Sequence, residues 1–219
     1  MSRTADRSAQ GEALSRAVWD VLAQQGLEKL TVRAVAAAAG CTTGLVMHRF
    51  PNRRALLLHA RQLLHDTSRR RVEALEAAAA SPRAALHVVL RQGMATDQET
   101  INGSIVWMGF LAAAVSDTDL IGMHRRNNRS WRERVERLVA AAAQDQSAAQ
   151  DRSAVQDRLV DRVGAAAQGW SVDRVGAVAL GLIAMAEGVA ALAAADPDAY
   201  PAEHQDRMLD TALAAYGLG

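Results

Sequence analysis

Cysteine is nearly absent from this 219-residue chain: Cys41 stands alone, which excludes an intramolecular disulfide framework and any cysteine-rich zinc module. Aromatic residues make up only 4% of the composition, Pro occurs four times, and β-branched or aromatic runs are scarce. Ala, Leu and Val fill their place, in a chain that is 50% hydrophobic and 22% charged. Such a chain can bury a core, and helix formers dominate it, so an ordered, mostly helical protein is expected. The first eleven residues are polar, and no secretory leader is expected there. The longest apolar run, 175–195, is mostly Ala and Gly and is interrupted by Glu187. An acid at the centre of a membrane helix costs roughly 2.5–3.5 kcal/mol on insertion scales, and Ala offsets little of it. The run reads as a buried helix of a cytoplasmic protein without a membrane partner.

Catalytic signatures are missing as well. There is no glycine-rich phosphate loop, no nucleophile elbow, no HExxH and no clustered carboxylate motif, so neither an enzyme nor a cofactor is expected. His59 and His65 are six residues apart and fall on different faces of a helix, which argues against a joint metal site.

Charge is unevenly placed. Residues 1–71 hold twelve basic side chains (eleven Arg and Lys29) against five acidic ones, whereas 72–219 hold thirteen Arg against nineteen acids. A basic front on an acidic body is the footprint of a polyanion partner at one end. Charge alone does not separate nucleic acid from an acidic lipid or protein surface.

Periodicity supplies the elements. Leu14, Ala17, Val18, Val21 and Leu22 recur at helical spacing, and Gly26 closes that helix. Thr31 can cap a second helix carrying Val32, Val35 and Ala36 inward, and Gly40 can end it in a tight turn. Thr42 can cap a third, short helix to about Arg49, and Pro51-Asn52 can open a long one that stops or kinks before Pro82. Beyond it, 83–99, 104–116, 118–143, 171–195 and 202–217 read as helices. The 144–158 stretch repeats Gln-Asp every six residues, which fits no apolar stripe; a solvated helical extension or a mobile insertion is expected, with no assigned function.

The informative segment is 31–57, TVRAVAAAAGCTTGLVMHRFPNRRALL. Val35, Ala36, Ala39, Cys41, Val46 and Phe50 form a seam between two short helices, and small alanines let the helices cross closely. Thr42, Thr43, Gly44, Leu45, Met47, His48 and Arg49 are left on the outside. That is the pattern of a helix-turn-helix, whose second helix enters the DNA major groove with its N-terminal residues at the base edges.

This segment closely resembles the N-terminal domain of the TetR family of bacterial transcriptional regulators, through Thr31, the Ala36, Ala39 and Gly40 triple, Thr42, Gly44, Phe50, Arg53 and Leu56, preceded by Gly26-Leu27. The resemblance implies an all-α fold, with a three-helix DNA-binding domain over 8–51 and a larger helical effector-binding and dimerisation domain over 52–219. It implies phosphate contacts at Thr31, Arg33, Thr42, Met47 and Arg53, and base-edge or mixed contacts at Thr43, Gly44, Leu45 and His48. Two positions depart from the family pattern. Met47 stands where a tyrosine usually meets a phosphate, a loss on the order of 1 kcal/mol for one neutral hydrogen bond, and Arg49 is expected to replace it by charge. Thr43 stands in place of a frequent lysine, which shifts weight toward methyl and hydroxyl contacts.

Further along, Met94, Trp107, Met108, Phe110, Met123, His124 and Trp131 are raw material for an apolar pocket between helices, with His87, His124 and Glu187 as polar anchors. Any single one of them is more often a core residue; the resemblance implies an effector bound between these helices, and the Trp and Met residues favour a small apolar or aromatic one. Gly176, Gly181 and Gly188 with Val178, Leu182, Met185, Val189 and Leu192, together with Met208, Leu209, Leu213 and Tyr216, read as the face of a homodimer. The expected function is a ligand-responsive repressor on an inverted-repeat operator. The alternative is a helical adaptor whose basic front meets an acidic protein or lipid.

Overall fold

The computed structural model of the chain describes residues 2–157 and 170–219. Among the described residues the chain is helical and holds no strand: α1 (Ser2–Gln25), a single 3-10 turn (Leu27–Lys29), α2 (Val32–Ala38), α3 (Thr43–Arg49), α4 (Arg53–Ala78), α5 (Pro82–Gln92), α6 (Gln98–Ala114), α7 (Thr118–Asp157), α8 (Val172–Ala195) and α9 (Ala202–Ala215). They group into two compact units, one of residues up to Arg70 with Gln98–Asn127, the other of Arg71–Asp97 with Asn128–Gly219.

The first unit is built on the predicted head. Leu14, Ala17, Val18, Val21 and Leu22 of α1 are buried against Leu30, Val35, Ala36, Val46 and Phe50. Leu56, Leu57 and Ala60 of α4, with Val106, Phe110 and Ala114 of α6, complete the same core. The compact unit includes the first turns of α4, whose Leu56, Leu57 and Ala60 are buried in its core. Arg54 adds a polar tie, with Nε 3.0 Å and Nη2 3.1 Å from the two carboxylate oxygens of Asp117, and a contact to Asp119.

The second unit packs α5, α8, α9 and the later part of α7 around Leu86, Val89, Leu90, Met94, Val135, Val139, Leu182 and Leu209. α8 is long and apolar enough to cross a membrane by length and composition, but Val178, Ala179, Leu182, Ile183, Ala186, Val189, Ala190 and Ala193 are buried in the protein. This corrects the expected dimer face. Val178, Leu182, Val189, Leu209 and Leu213 turn into the unit's own core, and Met185 packs against it. The stripe left outside is Ala177, Leu180, Gly181, Ala184, Gly188 and Leu192, with Met208 and Tyr216 of α9.

Several boundaries differ from the periodicity. α4 starts at Arg53 rather than Pro51, because the Asn52 side chain accepts from the Ala55 N–H (2.9 Å) and so caps the helix. Pro82 opens α5 at its first turn behind the Ser81 cap. The expected helix 83–99 breaks after Gln92: Gly93 caps it, and the buried Gln205 side chain holds both the N–H (3.0 Å) and the carbonyl (2.8 Å) of Ala95 in a turn. The next helix therefore begins at Gln98 and not at 104. Of the two states expected for 144–158, the helical one holds as far as Asp157; residue 158 lies outside the described residues.

Candidate nucleic-acid interface

The turn between α2 and α3 is set by backbone chemistry. Thr31 caps α2 by accepting from the Ala34 N–H (3.1 Å). Gly40, at φ 62°, ends it: the Gly40 N–H donates to Ala37 O (3.2 Å) and the Cys41 N–H to Ala36 O (3.0 Å). This left-handed closure is one a Cβ would oppose. Thr42 then caps α3 through the Leu45 N–H (3.3 Å). Both threonine oxygens accept inward, and each hydroxyl keeps a hydrogen to donate outward.

Burial fixes which way α3 faces. Val46 is fully enclosed, Phe50 is 4% exposed and Val35 is fully enclosed, so these three anchor the helix pair. Ala39 and Cys41, expected in the same seam, are half-buried at its edge. Thr42, Thr43, Gly44, Met47, His48 and Arg49 are exposed and Leu45 is half-buried. Thr31, Arg33 and Arg53 are exposed as well. A helix turns about 100° per residue, so Gly44 and His48 point away from Val46, with Met47 and then Thr43 to one side of them. Arg49 falls about 200° from Met47. Its guanidinium lies 3.9 Å from where a Cβ on Gly11 of α1 would stand. The charge expected to stand in for the family's tyrosine is therefore on another face of the helix.

Behind α3, sequence reasoning missed His59. Its ring packs on Phe50 (centroids 4.8 Å apart), and its Nε2 lies 2.8 Å from Ser15 Oγ. Ser15 directs its one hydrogen to Gly11 O (2.9 Å), so His59 Nε2 is the donor in that pair. Burial, and then the Arg49 charge, hold the imidazole below its ordinary pKa. His59 is a neutral strut joining α1, the end of α3 and α4. It follows Leu56 by three residues, on the same helix face, a spacing that does not by itself set it apart from the apolar stripe.

The expected pocket residues fall in both units. In the first, Trp107 stacks on His124 (centroids 5.0 Å, 26° between planes), Phe110 is buried, and Met108 and Met123 are half-buried. Arg61, not singled out from the sequence, is 7% exposed, with its guanidinium 5.0 Å from the Trp107 ring and 5.5 Å from the Phe110 ring. In the second, Met94 is fully enclosed in the core, Trp131 packs against that core, and Glu187 is half-buried on α8. His87 lies outside any such cluster, with Nε2 3.0 Å from Asp210. Among the described residues no group of three metal-ligating side chains comes together.

Comparison with known proteins adds the following. Residues 16–60 match the model for bacterial regulatory proteins of the tetR family, and 82–160 match the BetI-type transcriptional repressor C-terminal model. The HTH-type transcriptional regulator PksA of Bacillus subtilis is 26% identical over 120 residues, covering 55% of this chain and 58% of the relative. The HTH-type transcriptional regulator BetI of Stenotrophomonas maltophilia is 30% identical over 120 residues, covering 53% and 60%. The matches thus span less than two thirds of these relatives' own length. Among solved structures, a transcriptional regulator from Rhodococcus sp. RHA1 superposes with a TM-score of 0.74 at 24% identity, over 93% of this chain and 94% of that one. A regulator from Saccharomonospora viridis, crystallised in complex with choline, gives 0.75 at 14% identity, over 95% and 96%. These two likenesses concern the fold.

Proposed function

From the chain's membership of the tetR family of bacterial regulatory proteins, we propose that it is a cytoplasmic, non-enzymatic transcriptional repressor that binds an inverted-repeat operator as a homodimer and leaves it when a small effector binds. The carrying observation is the exposed stripe Thr43, Gly44, Met47 and His48 on a helix whose back, Val46 and Phe50, is locked into the core. A rigid helix with a polar, unobstructed face is what major-groove reading needs. Thr31, Thr42, Arg33 and Arg53 lie at its margins as phosphate contacts, with Thr43, Gly44, Leu45 and His48 at the bases. Met47 meets the backbone through van der Waals contact only.

Two copies joined through the outer stripe of α8 and α9 present two such helices, and a two-fold dimer reads half-sites about 34–36 Å apart. The first unit joins the head and the Trp107–His124 cluster through α4, so a ligand at that cluster acts on the helix that follows α3. The choline held by the Saccharomonospora viridis protein supports a small-molecule effector for this fold. An effector releases DNA only if it binds the non-DNA conformation better.

Fluorescence anisotropy tests this on duplexes from upstream of the chain's own gene and its neighbours, against random DNA, over a salt series. A preference in the range of roughly 10³–10⁷ for one inverted repeat, lost with Thr43→Ala and His48→Ala together, is the expected result. Equal binding to all duplexes with a steep salt slope would instead favour the basic-surface adaptor.

A further inference from the structure

The cluster on the inner side of α4 carries information about ligand charge. His124 and Asn127 are three residues apart on α7 and so share a face. His124 Nδ1 and Asn127 Nδ2 are both buried, with no hydrogen-bond partner among the described residues. An amide nitrogen can only donate, and a buried donor left without an acceptor is costly, so Asn127 calls for an acceptor atom. The charges that act on His124 are cationic. Burial first, then the Arg61 and Arg125 charges, push the His124 imidazole below its ordinary pKa, and no acid figures among the charges that shift it. The Trp107 ring, meanwhile, already has the Arg61 guanidinium 5.0 Å away and His124 stacked on it. A quaternary ammonium would therefore meet like charge and an aromatic ring with a cation already over it.

We infer that the effector is an anion with an apolar or aromatic body, whose carboxylate accepts from Asn127 Nδ2 and His124 Nδ1. Arg61 acts through its field, and Phe110 holds the guanidinium from the core side. This rests on the effector reading proposed above and narrows it to a ligand class.

Isothermal titration of the full chain, without DNA, tests it with matched probes: phenylacetate against 2-phenylethylamine, hexanoate against hexylamine, and choline alone. Each acid is expected to bind about tenfold or more tighter than the amine of similar body, and choline to bind more weakly than either acid. Asn127→Leu should weaken the acids about fivefold or more. Asn127→Asp, which adds a carboxylate at the same spot, should reverse the preference. Circular dichroism matching the parent chain confirms that both variants are folded. Tighter binding of either amine or of choline, equal affinities within both pairs, no acid binding up to about 10 mM, or Asn127 variants that leave the preference unchanged would each overturn the inference. The two readings fail separately. Operator release by an amine or choline would sink the anion assignment and leave the regulator standing; acid binding without operator release would do the reverse.

Discussion

Arg54 and Asp117 face each other as a two-point pair, guanidinium Nε and Nη2 lying 3.0 and 3.1 Å from the two carboxylate oxygens. Arg54 lies in the first turn of α4, directly after the helix-turn-helix. Asp117 precedes α7, where its Oδ1 also accepts from the N–H groups of Asp119 (3.0 Å) and Leu120 (3.1 Å). One carboxylate thus caps α7 and holds the start of α4. Asp117→Ala removes the cap and the two-point pair and leaves Arg54 with Asp119, whereas Arg54→Met removes the ties of α4 to Asp117 and Asp119 and leaves the cap. We expect the Asp117 variant to melt at the lower temperature in thermal denaturation followed by circular dichroism; equal midpoints would contradict the dual role. The hydrogen bond from the Arg54 side chain, and after it the one from the Leu120 N–H, hold the Asp117 pKa below its ordinary value. The pair's contribution is therefore present above pH ~4 and is lost as acid carries the solution through the folded-state pKa.

Gly44 is exposed in the first turn of α3, its φ is not positive, and a Cβ there would meet nothing nearer than Thr42 Oγ1 at 3.9 Å. Nothing inside the protein requires glycine. Gly44→Ala should stabilise the chain by up to about 0.5–1 kcal/mol while weakening operator binding, because the methyl group stands where DNA approaches. Urea denaturation and anisotropy on the same preparation check the opposite signs; unchanged DNA affinity would remove Gly44 from the interface.

His59, His65 and His124 all have pKa values lowered, chiefly by burial and then by neighbouring Arg charge. Below about pH 6.5 the unfolded chain takes up protons that these folded imidazoles resist. Their contribution is therefore complete above that pH and is lost as pH falls, opposite in sign to a histidine paired with an acid. Melting midpoints should drop between about pH 7.5 and pH 5.5, and His59→Gln should flatten part of that slope. A slope identical in the variant would show that the strut does not titrate as described.

Leu180 is 53% exposed and Leu192 49% exposed, on the outer stripe of α8 beside Gly188, where a Cβ would meet open space. Leu180→Glu should convert the proposed homodimer to monomer in sedimentation velocity and steepen the concentration dependence of DNA binding. A variant that sediments as the parent would place the dimer face elsewhere.

The head was the most legible part of the sequence because its signals are local. Thr31, Gly40 and Thr42 act on backbone groups within four residues, so reading the sequence locates the turn to the residue. The break at Gly93 was not legible, since what holds it is Gln205, 110 residues away from Ala95. The α8 face was misread for a related reason: its Ala and Gly residues give nearly uniform hydropathy around the helix, so periodicity could not choose between core and surface. Arg61 and His59 were missed because a polar residue on an apolar stripe reads as noise until its partners, Trp107 and Ser15, are in place.

In the proposed function, two copies of α3 read a symmetric DNA site. Selection of binding sites by the purified chain from a pool of random duplexes tests it most directly. The expected result is enrichment of one inverted repeat with half-site centres about one helical turn apart, roughly 10–10.5 base pairs, or a multiple of it. Recovery of sequences without a common motif, bound in proportion to their length and released by moderate salt, would contradict it.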